Sequence, residues 1–375
     1  MSLSLPARSV TAPRLTDVVP IVQAAIDGKD GLFPRVSSAI VFVVDGLGAR
    51  NLAARRAHAR FLGAAMGRRD TASTVFPSTT AAALTSLWTG VWPGEHGVVG
   101  YRARVPETGD VENQLTGWDT GGLDPLTWQR AAPILQTAAD EGRPVFVVSK
   151  PEYRDSGFTR ATLRGAEIHG VASLAERAEL AAHLARAHAG ALVYLYAPEL
   201  DVVGHRVGAE SERWANALEE LDAVARRLHE RVGKDVGVVL TADHGMVDVP
   251  SERQVLFGAG PLTDAVSAVG GEPRMLHLYA QPGAASEVHA AWLGEQHRSW
   301  VLTRDEAVAA GLFGPVVAPE VRDRIGDVLV AARARIAYYD DRVADTAPRR
   351  MVGQHGSLTD EETTVPLIRL GGFAR

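Results

Sequence analysis

Ser38-Ala39-Ile40-Val41-Phe42-Val43-Val44-Asp45-Gly46 is the stretch whose reading decides the fold. Its unbroken apolar run reads as a strand buried on both faces, the kind found in parallel sheets. Comparable runs recur at 144–149, 191–196 and 236–240, and more weakly at 274–279. Helical periodicity lies between them. The clearest case is 211–229, where Trp214, Leu218, Leu221, Ala225 and Leu228 share one face opposite charged residues. The segments 128–139 and 174–188 also read as helices. Strands alternating with helices predict an α/β fold, a mostly parallel central sheet with helices on both faces.

More than a hundred residues separate Asp243-His244 from His355, and they carry Gly/Pro punctuation at 258–261 and 270–273. Weak helical patterns follow at 285–293 and 304–310. This predicts a catalytic core of residues 30–250 and 346–375, with 251–345 as a smaller inserted cap. No repeat, coiled coil or low-complexity tract interrupts the chain. The acidic run Asp360-Glu361-Glu362 reads as a solvated face or a helix start.

The composition suits a globular protein: 375 residues, 46% hydrophobic and 22% charged. A formal charge of -6 lacks the basic footprint of phosphate-backbone binding, so no nucleic acid polymer is expected as partner. Cysteine is absent, which excludes disulfides and thiolate metal sites. No apolar stretch near Met1 to Thr16 suits a signal peptide and no window suits a membrane span, so a cytoplasmic location is expected.

Four clusters of oxygen and nitrogen donors stand out. Asp45 closes the first apolar run; alone it reads as a turn or cap aspartate. Asp201 and His205, spaced i, i+4, share one face of a helical turn and follow the 191–196 run. Asp243-His244 ends the 236–240 run, where adjacent polar groups are costly unless paired or bound to an ion. His355 lies in Gly353-Gln354-His355-Gly356, which alone reads as a surface loop. Ligands without thiolate, placed past the ends of buried strands, suit a hydrolytic metal centre. The remaining histidines, among them His58, His183, His188 and His289, read as structural or surface groups. Upstream, Ser78, Thr79 and Thr80 precede Ala81-Ala82-Ala83-Leu84, so one of these hydroxyls starts a helix. Such a position caps the helix and also favours an alkoxide or a phosphoryl anion.

Taken in order, Val44–Gly46, Phe76–Gly97, Tyr196–Gly208, Thr241–Gly245 and Gly353–Ile368 resemble the alkaline phosphatase superfamily, and within it the type I phosphodiesterase/nucleotide pyrophosphatase branch. The resemblance implies two divalent metal ions, most often zinc, and a Ser or Thr that is transiently phosphorylated. Asp201, His205 and His355 would hold one metal. Asp45, Asp243 and His244 would hold the other, which also touches the nucleophile. The family's nucleophile lies nine residues before the Thr of a Thr-Gly pair, here Thr89-Gly90, which selects Thr80. His96 matches a structural position. Two features depart from the family: Ala81-Ala82-Ala83 stands where Phe-Pro-Asn is usual, and Tyr101 is the nearest counterpart of its phosphoryl-binding Asn.

The resulting expectation is a two-metal hydrolase that cleaves a phosphodiester or pyrophosphate bond of a small phosphorylated substrate through a covalent phospho-threonine. The alternatives are a phosphomonoesterase or phosphonate hydrolase, and a non-catalytic metal-stabilised binding protein. A monoesterase needs an extra cation, for which Arg102, Arg104, Lys150, Arg154 and Arg160 are candidates.

Overall fold

All seven residues of Ser38–Val44 are buried, and this strand is the middle of the structure. The computed structural model describes residues 5–6, 12–118 and 122–374; much of the amino-terminal stretch read above lies outside them. The central sheet has seven strands in the order Thr71–Ser73, Thr364–Gly371, Val236–Thr241, Ser38–Val44, Leu192–Ala197, Val145–Ser149, Glu167–Gly170. Ser38–Val44 runs parallel to both of its neighbours, and Val145–Ser149 is parallel to the strands beside it. Only Thr364–Gly371 runs antiparallel, pairing with Val236–Thr241 and Thr71–Ser73. The sheet is therefore mostly parallel and flanked by helices. The inner strands are apolar throughout because both of their faces are covered.

Helix Glu212–Val232 buries Trp214, Leu218, Leu221, Ala225 and Leu228 on one side. Ser211 caps it, its side chain accepting from the Trp214 N–H at 3.2 Å. Leu174–Ala187 starts at Ser173 in the same way. The helix expected over 128–139 is shorter, only Ile134–Asp140. Pro133 is its cap, and a residue before proline is pushed out of the helical region, so Trp128 to Ala132 stay irregular. The short strands Glu167–Gly170 and Thr71–Ser73 at the sheet edges carry no apolar run and escaped the sequence reading.

Within 251–345 a separate antiparallel sheet forms, ordered Val266–Glu272, Met275–Ala280, Val328–Ala332, Ser299–Thr303. Leu276, Leu278, Trp292, Val328, Val330 and Tyr338 belong to its own apolar cluster. Its first hairpin turns at Pro273-Arg274, and Arg274 reaches the main body. The guanidinium is fully buried, at 2.7 and 2.8 Å from the two carboxylate oxygens of Glu362. It also donates to the carbonyls of Ala334 and Ile336. Glu362 in turn accepts the Ser357 N–H at 3.0 Å, two residues beyond His355. The acidic run 360–362 thus does start a short helix, but its last member is an interior ion-pair partner rather than a solvated group.

No helix among the described residues is long and apolar enough to cross a membrane. Removing one partner of a fully buried pair strands the other charge, so Arg274→Met should cost about 3–5 kcal/mol. Adding Glu362→Leu should restore part of that loss, as read from urea unfolding of both variants.

Candidate metal centre and active site

Register gathers the site. Val44 pairs with Ala197 and Val43 with Thr241, so three parallel strands end at one level. Asp45 follows the first, helix Glu199–Val207 with Asp201 and His205 follows the second, and Asp243-His244 follows the third. The antiparallel strand Thr364–Gly371 starts near that level, with Leu367 opposite Thr241. The segment before it therefore brings His355 to the same edge. Gly46, at φ 72°, allows the helix to come close: a Cβ there would lie 3.2 Å from the Asp201 side chain.

The donors expected from the sequence converge. His244 Nε2 is 3.4 Å from Asp45 Oδ1, 3.4 Å from Asp243 Oδ2 and 3.1 Å from Thr80 Oγ1. Asp201 Oδ1 is 3.3 Å from His205 Nε2 and 3.9 Å from His355 Nε2, and the two imidazole nitrogens are 3.3 Å apart. The His244 and His355 rings stack at 3.6 Å, joining the two groups.

Each histidine has its tautomer set by a backbone carbonyl. Nδ1 faces Gly353 O at 2.7 Å in His205, Ser78 O at 3.0 Å in His355 and Gly245 O at 3.1 Å in His244. A carbonyl can only accept, so each Nδ1 carries the hydrogen and each Nε2 turns a lone pair inward. The His205 and His355 lone pairs then face one another. Asp45 Oδ1, Asp201 Oδ1 and Asp243 Oδ2 are buried without a hydrogen-bond partner among the described residues. The second oxygens of Asp45 and Asp243 are occupied: Asp45 Oδ2 accepts the Tyr196 hydroxyl, and Asp243 Oδ1 accepts the N–H groups of Gly46 and His244.

The electrostatics agree with this. Burial pushes the Asp45 carboxyl well up, and Asp243 and Asp201 push it further. Burial also raises Asp201. Burial, then His244 and His205, drive His355 well below the ordinary imidazole range. Buried acceptors facing one another, with the Thr80 hydroxyl donating to the His244 nitrogen alone, are a deficit of positive charge. The orphaned carboxylate oxygens and the inward imidazole nitrogens beside them fit divalent cations.

Thr80 begins helix Thr80–Thr89, every residue of which is buried. Of the three candidate hydroxyls it alone is hydrogen-bonded to the cluster. The Ser78 hydroxyl donates to Ser357 O at 2.7 Å, and the Ser78 N–H donates to Gly356 O at 3.2 Å. These bonds fasten the threonine turn to the His355 turn. His96 is buried against the Ser86 hydroxyl and is pushed down to about 3 by burial and by Arg324, as a structural residue would be.

A cavity of about 640 Å³ opens from Thr80, Asp45, Asp201, His205 and His355. Leu84, Leu115, Tyr153, Phe158, Leu163 and Met351 give it an apolar wall. No Lys or Arg among the described residues lines it. Arg102 is exposed with its side chain on Val111 O, Arg104 reaches Asp323 O, and Arg160 reaches Asp155 O. Lys150 stands 4.0 Å from Glu199, and Arg154 is exposed. Three groups near the site gave no signal in sequence: Tyr196, one aromatic in an apolar strand; Tyr153, in a turn; and Glu272, inside a stretch read as Gly/Pro punctuation. Tyr101 does line the cavity, but its N–H is taken by Glu272.

Residues 39–358 match the type I phosphodiesterase/nucleotide pyrophosphatase family. A Schizosaccharomyces pombe protein described as an uncharacterised pyrophosphatase/phosphodiesterase is 25% identical over 259 residues, 64% of this chain. The match spans 50% of that relative's length. Among solved structures, murine ectonucleotide pyrophosphatase/phosphodiesterase 5 is similar with a TM-score of 0.70 at 17% identity, over 89% of this chain and 88% of that one. Phosphonoacetate hydrolase from Sinorhizobium meliloti, in complex with phosphonoacetate, gives 0.66 at 21% identity, over 91% and 94%. At such identities the likeness is one of fold.

Asp45→Asn removes one of the facing carboxylates. The metal-free variant should be more stable than wild type by about 1 kcal/mol in urea. It should lose most of the thermal stabilisation that saturating divalent metal gives the wild type, about 2.7 kcal/mol at a hundredfold excess over Kd.

Proposed function

We propose, from the premise that this chain belongs to the type I phosphodiesterase/nucleotide pyrophosphatase family, that it hydrolyses a phosphodiester or pyrophosphate bond with Thr80 as nucleophile and two divalent metal ions, zinc by preference, as cofactors. Asp201, His205 and His355 would hold one ion; Asp45, Asp243, His244 and the Thr80 oxygen would hold the other. Bound there, the pair supplies positive charge against the phosphoryl oxygens and lowers the pKa of the threonine hydroxyl.

The chain's own residues do the rest. Thr80 Oγ1 sits at the start of a ten-residue helix, whose free N–H groups favour negative charge on that oxygen and on the phosphoryl group it attacks. Attack forms the Thr80 O–P bond as the bond to the leaving oxygen breaks. Water then cleaves the phospho-threonine and returns the hydroxyl. The bonds from Ser78 to the 356–357 turn keep the threonine and His355 in fixed relation.

The observation that carries the diester reading is the cavity wall. A phosphate monoester or phosphonoacetate brings more than one negative charge and calls for a cationic side chain, and none lines the cavity among the described residues. A diester carries a single charge and a second organic group, which suits an apolar wall beside the donors. Residues 251–345 serve, on this reading, as an inserted unit that closes one side of the cavity through Glu272 and Pro273.

Thr80→Ala should lower kcat on bis-p-nitrophenyl phosphate by about a thousandfold or more while metal content, by elemental analysis, stays at the wild-type value. Unchanged turnover would remove Thr80 as nucleophile. Faster wild-type turnover of p-nitrophenyl phosphate than of the diester would contradict the substrate class.

A further inference from the structure

Glu272 ends the strand Val266–Glu272, only 7% exposed, in the wall of the cavity that also holds Thr79 and Thr80. Its Oε2 accepts the Tyr101 N–H at 3.1 Å. Among the described residues its Oε1 makes no hydrogen bond, and the Thr79 hydroxyl beside the carboxyl favours its charged form. A Cβ on Gly356, whose φ is 122°, would lie 2.5 Å from Glu272 Cγ. The side chain is therefore pressed against the turn that carries His355, at the phosphate end of the cavity rather than at its apolar end.

A carboxyl beside an incoming phosphate acts against binding, and the cost rises with each further negative charge on the ligand. Nothing cationic in the wall offsets it among the described residues. Resting on the phosphodiesterase reading above, we propose that Glu272 is a specificity-determining residue: its carboxyl tolerates a singly charged phosphate diester and selects against a phosphoryl group that bears a second negative charge. The position suits that role. Tyr101 fixes Oε2, leaving Oε1 without a hydrogen-bond partner among the described residues in a wall shared with Thr80. Burial pushes the group up to about 8, with Glu362 adding to the rise, so it becomes an anion in the alkaline range.

Glu272→Gln keeps the shape and the bond accepted from Tyr101 while removing the acid, and Glu272→Ala removes both. Zinc-loaded wild type and both variants are compared on bis-p-nitrophenyl phosphate and p-nitrophenyl phosphate at about pH 9. E272Q should raise the monoester-to-diester ratio of kcat/KM about tenfold, mainly through a lower KM for the monoester. Calorimetry with inorganic phosphate should show about fivefold tighter binding to E272Q than to wild type. An unchanged ratio in both variants overturns the assignment. So does an equal loss on both substrates, which marks a packing residue. A wild type inert toward the diester overturns the phosphodiesterase reading instead, and the phosphate titration then decides Glu272 alone: equal affinity in wild type and E272Q overturns it, tighter binding by E272Q supports it.

Discussion

Three buried carboxylate oxygens without a hydrogen-bond partner and three inward imidazole lone pairs, brought to one edge of a sheet where the Thr80 hydroxyl donates to the His244 nitrogen alone, are the constraint on which the structure turns. Asp45, Asp201 and Asp243 would repel one another there, and a neutral histidine cannot relieve them, because its one hydrogen is committed to a backbone carbonyl. Such an arrangement persists only if the framework around it is rigid enough to hold it. In-register parallel strands supply that framework from below. The Ser78 bonds and the Arg274–Glu362 pair supply it from the sides. Glu362 touches both histidine turns: its carboxylate accepts from Ser357, and its backbone carbonyl accepts the Gly245 N–H at 2.9 Å.

The parts legible in the sequence are those written in local pattern. Runs of apolar residues marked the inner strands to within a residue or two and placed Asp45, Asp201, His205 and Asp243-His244 just past their ends, whereas His355 and the division of the donors between two ions needed the family resemblance. Thr80 needed the family resemblance, since Ser78 and Thr79 are equally good helix-start residues by local reading. The structure separates them through contacts with residues far along the chain. What stayed hidden depends on such distant pairing. Glu362 looked like part of a solvated acidic run because nothing nearby announces Arg274. Glu272 lay in a glycine-rich turn signal, and its partner Tyr101 is supplied by a different part of the chain. The irregular stretch ahead of Ile134 shows a local rule misapplied: Pro133 was a start signal for the helix rather than a residue within it.

On the proposed reading, chemistry and selectivity occupy different walls of the same cavity. The donor edge sits at the ends of the central strands, and its residue types suit many phosphoryl transfers. The apolar wall comes from Leu115, Phe158, Leu163 and Met351, and Glu272 comes from the antiparallel sheet of residues 251–345. A scaffold of this kind can change substrate by altering those walls while the metal edge stays fixed.

The central claim is that the orphaned donors are two cation sites side by side. Anomalous diffraction from crystals of the zinc-loaded protein tests it directly. The account predicts two peaks about 4 Å apart, one among Asp201, His205 and His355 and the other among Asp45, Asp243 and His244 beside Thr80. A single peak, or none within reach of these residues at saturating zinc, would contradict it.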